Sequence, residues 1–142
     1  MTATMNALNC KLIFQLSLFG LAMAVATVLW IPSRIEPAFW LVIFLFCAFV
    51  IAKRSPGKNF LHGFMVSLGN CVWITSIHVL FADTYLANHP QEAEMMARMP
   101  LPGAPRLMML LFGPVVGIAS GLVLGILSLI ASKFVTKQAS EA

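Results

Sequence analysis

The sequence predicts an all-α membrane protein, a bundle of four transmembrane helices with a short amphipathic external helix between helices 3 and 4. Three observations lead to this prediction. Of the 142 residues, 60% are hydrophobic and 10% are charged, whereas soluble domains carry roughly 25% charged residues. The apolar residues form four runs, each near the roughly 20 residues that cross a bilayer as a helix. The strongly polar clusters lie between these runs.

The four predicted spans are 12–31, 37–52, 60–83 and 107–131, and the loop 84–106 is expected to carry the external helix. These segments leave little chain for a soluble domain, so residues 1–142 are expected to form a single integral membrane domain. The segment Ala24-Val25-Ala26 looks like a signal-peptide cleavage site. Because the apolar run continues beyond it, we expect the first segment to remain as a span.

The second span is bulky and apolar all round, with almost no small side chain for a close helix crossing. We therefore expect it to face lipid over much of its surface. Pro32 and Pro37 predict a short turn before it. The first two spans should consequently form an antiparallel hairpin.

The fourth span carries a glycine at every fourth position, namely Gly113, Gly117, Gly121 and Gly125. At 3.6 residues per turn these glycines lie along one slowly drifting stripe of the helix. Close backbone approach over small residues is a main way to hold helices together in lipid. The stripe is therefore predicted to be a helix-packing surface, most simply for the third span. A seam between identical chains and a pore lining are the alternatives.

One face of the third span is polar. Its members include Ser67, Asn70, Thr75 and His78, which fall within an arc of about 140°. Polar groups in hydrocarbon are costly unless they find partners, so this face should look into the bundle or a hydrated cavity. It is the candidate polar path or ligand site. His78 also has a simpler interpretation, as a ring hydrogen-bonded to a neighbouring helix.

The external loop contains the signals of a helix start. Pro90 suits a first helical position, and Asn88 or His89 would precede it. Three methionines, Met95, Met96 and Met99, would form an apolar edge. This short helix is expected to lie along the membrane surface or to cap the bundle.

His89, Met95, Met96 and Met99 are the candidates for a metal site, because soft thioethers bind Cu(I). Copper uptake channels, however, place methionine pairs inside a span, whereas these methionines lie in the loop. Methionine as adaptable apolar filler explains them better. Copper handling is kept as a minor alternative, and the sequence indicates no particular cofactor.

Catalytic groups are sparse. No carboxylate lies well inside a span, and the three cysteines, Cys10, Cys47 and Cys71, are widely spaced. The loop residues Asp83, His89, Glu92 and Glu94 are more simply a solvated cluster with helix-capping duties than a hydrolytic site. We therefore expect no enzymatic activity. The basic residues lie at the ends of apolar runs, which argues against nucleic acid as a partner.

The distribution of Lys and Arg predicts the orientation. The side that holds both termini carries Lys11, Lys53, Arg54, Lys58, Lys133 and Lys137, whereas the other side carries Arg34, Arg98 and Arg106. Under the positive-inside rule, both termini are cytoplasmic in a multi-pass protein of an inner or plasma membrane.

The sequence thus favours a small non-enzymatic membrane protein that acts by helix packing, by oligomerisation, or by docking with membrane partners or lipid. The expected partners are membrane lipid and either further copies of the chain or other membrane subunits. The alternative function is a small transporter or channel, with its path along Ser67, Asn70, Thr75 and His78.

Overall fold

The structure, a computed structural model, describes residues 7–136. These residues form six helices and no strand: α1 (Cys10–Leu29), α2 (Glu36–Arg54), α3 (Asn59–Leu80), α4 (Ala82–Asn88), α5 (Pro90–Ala97) and α6 (Pro105–Phe134). Lys137, which enters the charge count above, lies outside the described residues. The all-helical prediction is confirmed for the described part of the chain.

Four helices, α1, α2, α3 and α6, are long and apolar enough to cross a membrane. Their outward faces carry many exposed large apolar side chains, among them Leu41 and Val42 of α2 and Val115 and Ile118 of α6. Such surfaces are suited to lipid and unsuited to water. The chain is therefore a multi-pass membrane protein.

The segment between α3 and α6 differs in detail from the expectation. The third span was predicted to reach residue 83, but α3 ends at Leu80 and the chain turns at Phe81 into α4. In place of one short helix there are two, which meet at His89. Pro90 lacks a backbone N–H, so it suits the first turn of α5 and not the interior of one longer helix.

α3 is the central helix of the packing. It contacts α6 on one side and α1 on the other, while α2 packs chiefly against α6. α1 and α2 touch little, so the expected hairpin between consecutive spans is wrong as a description of packing. The buried side of α2 is made of Cys47, Ala48, Ile51 and Ala52. Most of these side chains are small, which lets α2 pack closely against its neighbours at this end.

The two ends of the four long helices pack differently. Near the chain termini, which we call the termini side, all four contribute to one dry cluster: Leu12, Leu16, Cys47, Ala48, Ile51, Val66 and Leu124. Toward α4 and α5, which we call the loop side, α2 turns exposed apolar side chains such as Phe39 and Leu45 outward. The first half of α2 therefore buries little, and a cavity lies beside it.

Two buried histidines hold the ends of α1. At its start, the Asn9 backbone N–H donates to His62 Nε2 at 3.0 Å, and the His62 Nδ1 proton is donated to the Lys58 carbonyl at 3.0 Å. At its end, His89 Nε2 faces the Ile31 carbonyl at 3.0 Å. The bond to Asn9 satisfies a backbone N–H that the start of a helix leaves without a partner, and His89 lies against the chain just past the end of α1. His62 is fully buried.

Candidate functional site

A cavity of about 590 Å³ lies between α2, α3 and α6 and extends to α4 and α5 at the loop side. Trp40 and Phe44 of α2 form one wall, and Phe112 and Val116 of α6 form another. A volume of this size is typical of sites for small molecules, which run from roughly 300 to 1,000 Å³. No residue of α1 lines it.

The polar face of α3 opens onto this cavity. The structure brings Ser67, Asn70, Thr75 and His78 to its lining. At 1.5 Å per residue, the rise along α3 from Ser67 to His78 is about 16 Å. A row of polar groups thus runs from the loop side to the middle of the helix, facing walls that are largely apolar.

Asn70 is the least satisfied polar side chain of this row. Its Oδ1 accepts a hydrogen bond from the Gly20 backbone N–H of α1 at 3.0 Å. The residue is only 2% exposed, so water has little access to its Nδ2. This nitrogen nevertheless has no hydrogen-bond partner among the described residues. A buried amide that donates no hydrogen bond costs free energy, about 1–3 kcal/mol. Asn70 is therefore a lining residue of the cavity whose enclosed amide donors have no partner in the described part of the chain.

Two further bonds tie α3 to α6 along the cavity. Ser120 donates its hydroxyl proton to the Gly117 carbonyl at 3.2 Å. Its oxygen is therefore the acceptor in the second bond, to which the Ser67 hydroxyl donates at 2.8 Å. Cys71 Sγ donates to the Gly113 carbonyl at 3.0 Å. These contacts fix the deep end of the cavity and keep its serine and cysteine groups in place.

A stack of three rings borders the cavity at the loop side. The Tyr85 ring lies 4.1 Å from the His78 ring and 4.3 Å from the His89 ring, centroid to centroid. Thr27 of α1 donates to the Ala24 carbonyl, so its oxygen accepts the Nε2 proton of His78 at 2.9 Å. His78 therefore makes a hydrogen bond to a neighbouring helix, as its simpler interpretation expects. Its side chain also lines the cavity.

His89 has no ring nitrogen free for a ligand. Its Nδ1 faces the Tyr85 carbonyl at 2.8 Å, and its Nε2 faces the Ile31 carbonyl. Met95 and Met96 line the cavity, whereas Met99 lies with Met95 in a separate groove beside α5. Within residues 7–136 no three His, Cys, Asp or Glu side chains gather as metal ligands.

Two carboxylates stand at the loop side of the cavity. Glu36 begins α2, and its Oε1 accepts a hydrogen bond from Trp40 Nε1 at 3.1 Å. Glu92 lies in the first turn of α5, and its Oε2 is buried with no partner in the described part of the chain. The pKa of the Tyr85 phenol is raised above its ordinary value. Burial is the main cause, and the negative charges of these two carboxylates are the lesser one.

The four glycines singled out from the sequence face α3. A Cβ added at Gly117 would lie 2.7 Å from Cys71 Sγ, and one added at Gly125 would lie 2.7 Å from the Phe60 ring. Gly113 and Gly121 face Thr75 and Phe64 in the same way. Gly113 and Gly117 also border the cavity.

Sequence reasoning missed the parts of the site that come from other elements. Ser120 is one position from the glycine stripe, and Glu36 and Glu92 stand at helix starts, where acidic residues are explained by capping. Tyr85 belongs to α4, so the periodicity of α3 does not determine where it lies. The only sequence signal for this part of the site is the spacing of Trp40 and Glu36, which are four positions apart and therefore lie on one helix face.

No protein-family model, curated protein or solved structure matches this chain.

Proposed function

We propose that this membrane protein binds a small amphiphilic molecule in the cavity between α2, α3 and α6. The observation that carries the proposal is the unused Asn70 amide, buried in the cavity lining without a partner among the described residues. A ligand with a hydrogen-bond acceptor would satisfy it. The apolar walls would cover the rest of the molecule.

The cavity supports a one-sided binding site better than a pore. Its lining on α3 begins at Ser67 and runs toward the loop side, and its lining on α6 ends at Ser120. Beyond these residues the helices meet in the dry cluster around Val66 and Leu124. A continuous polar path through the described part of the chain has no support, so a transport function would require α2 to move.

The arrangement of the helices and their orientation in the membrane are part of the same proposal. We infer that the four long helices act as one bundle, with α4 and α5 as its external cap, and that the glycine stripe serves packing of α6 on α3. Both termini would be cytoplasmic, as the basic residues indicate. The role is binding and not catalysis. A role in packing or docking without a ligand is the competing function.

Native mass spectrometry tests the proposal. The full chain in nanodiscs of natural lipid extract, activated until bulk lipid is stripped, should retain one molecule per chain. Asn70→Leu keeps a similar volume and removes the amide, so the retained molecule should be lost. Ser76→Ala, an exposed position on α3 away from the cavity, should retain it.

Asn70→Leu also removes the bond to Gly20, so thermal unfolding must be measured in parallel. Thr75→Val provides a second variant, because it removes a cavity hydroxyl and keeps the shape of the side chain. Weakened retention in a folded Thr75→Val chain supports the proposal. A bare wild-type chain, or equal retention in all variants, contradicts it and favours the packing function.

A further inference from the structure

The charged side chains on the cavity wall are both acidic. Glu36 and Glu92 line the loop side of the cavity, and within residues 7–136 no Lys or Arg lines it. Low-dielectric walls strengthen the field of such groups relative to water. The cavity is thus electrostatically suited to a positive ligand.

Glu92 has fewer hydrogen-bond partners for its carboxylate than Glu36. Glu36 has a donor in Trp40, but one carboxylate oxygen of Glu92 is buried without a partner in the described part of the chain. Burying a charged oxygen without a hydrogen bond or counter-charge is costly. A cation in the cavity beside Glu92 would supply the missing counter-charge.

The walls around these carboxylates suit a cation that carries apolar groups. Trp40 and Phe112 contribute aromatic rings to the cavity lining, and Met96 and Met109 add polarizable thioethers. Ring faces attract cations, most strongly where water is excluded. Methionine side chains adapt to irregular apolar surfaces. A small hydrated metal ion would leave these walls unused.

Asn70 is an independent indication that the cavity receives a ligand. It is 2% exposed and lines the same cavity, and its Nδ2 donors have no partner among the described residues. It lies deeper than the carboxylates, near Ser67 and Ser120. The ligand that fits both ends is therefore long, with its charge near the loop side.

We propose that the cavity binds a lipophilic organic monocation, with its positive centre beside Glu36 and Glu92 and its apolar body between Trp40 and Phe112. A hydrogen-bond acceptor at its far end would reach Asn70. This inference rests on the proposed function, because it names the class of ligand for the same cavity.

Two probes of matched size and opposite charge test it. Tetraphenylphosphonium and tetraphenylborate have the same shape, so a difference in binding reports the sign of the charge. Equilibrium dialysis against the full chain in detergent should give saturable, one-to-one binding of tetraphenylphosphonium. Tetraphenylborate should only partition into the micelle, in the same amount with and without protein.

The matched variants lie on one helix. Glu92→Gln is nearly isosteric and should raise the Kd for tetraphenylphosphonium about tenfold, which corresponds to about 1.4 kcal/mol. Glu94→Gln changes net charge equally but lies outside the cavity, in the groove beside α5, so it should leave the Kd within about twofold. Glu36→Gln should also weaken binding. Circular dichroism establishes that each variant is folded.

The outcomes separate this inference from the proposed function. Equal saturable binding of both probes, or an unchanged Kd in Glu92→Gln, would overturn the cation proposal and leave an amphiphile site intact. An Asn70-dependent molecule seen by native mass spectrometry, with no tetraphenylphosphonium binding, would overturn it in the same way. Absence of both the retained molecule and probe binding would reject the two proposals together.

Discussion

Tyr85 shows how one side chain joins several parts of this protein. Its ring stacks between His78 of α3 and His89 at the junction of α4 and α5. Burial disfavours the phenolate, and the carboxylates of Glu36 and Glu92 disfavour it further, so the pKa of Tyr85 is raised. The phenol therefore stays neutral through the physiological pH range.

This shift predicts a pH dependence with a definite sign. Because the folded state holds the phenol proton more tightly, the associated stability is fully present below the unfolded pKa of about 10 and is lost as pH rises above it. The chain contains one tyrosine. Tyrosinate absorbance during an alkaline titration in detergent should therefore have a higher midpoint in the folded protein than in denaturant.

Glu92→Gln provides the internal control for this titration. The folded midpoint should fall, because one carboxylate is neutralised, but it should stay above that of the denatured chain, since burial is the larger cause. A folded midpoint equal to the denatured one would mean that Tyr85 is hydrated and that the ring stack does not form.

At the scale of helices, Gly63 of α3 lies directly against the backbone of α6. A Cβ at this position would lie 2.7 Å from the Leu124 carbonyl oxygen and 2.6 Å from Ser128 Oγ. A carbonyl oxygen belongs to the backbone and cannot swing aside. The α6 glycines of the sequence pattern meet side chains first, so the most restrictive glycine of this crossing lies on α3.

Gly63→Ala should therefore destabilise the protein. Alanine is favoured over glycine inside a helix by about 1 kcal/mol, but overpacking against Leu124 should cost roughly 1–3 kcal/mol. Thermal unfolding followed by circular dichroism should show a lower Tm. Gly103→Ala, in the loop before α6 with no atom within 4 Å of the added Cβ, is the matched control. A raised Tm in Gly63→Ala would show that the two helices do not meet this closely.

α2 illustrates why a single helix can have two environments. Its first half exposes Phe39, Leu41 and Val42, as its bulky sequence predicts, whereas Cys47, Ala48 and Ala52 in the second half are buried. Small residues therefore hold α2 against its neighbours at one end only. The space left at the other end is the cavity.

At the scale of the whole molecule, the cavity extends to one side only. Its lining reaches Ser33 and Glu36 at the loop side, while the dry cluster closes the termini side. Cys71 lines the cavity, Cys10 is exposed at the start of α1 and Cys47 is fully buried. Cys71 thus lies in the cavity lining near the middle of α3, whereas Cys10 lies at the termini side.

A membrane-impermeant thiol reagent should label Cys71 and Cys10 from opposite sides. In sealed vesicles of Cys10→Ser, Cys71 should react from the loop side, and in vesicles of Cys71→Ala, Cys10 should react from the other side. If both termini are cytoplasmic, as proposed, the loop side is the outer face of the intact membrane. Labelling of both cysteines from the same side would contradict the one-sided cavity whatever the orientation.

The sequence by itself determined the number of long apolar helices and the membrane setting, because hydrocarbon demands helices of a set length and apolar composition. It also grouped Ser67, Asn70, Thr75 and His78, since helical periodicity fixes which side chains share a face. Only the tertiary structure decided what that face meets. The neighbours of α3, the position of α2 and the approach of Glu92 and Tyr85 depend on contacts between residues far apart in the chain, which periodicity within one helix does not encode.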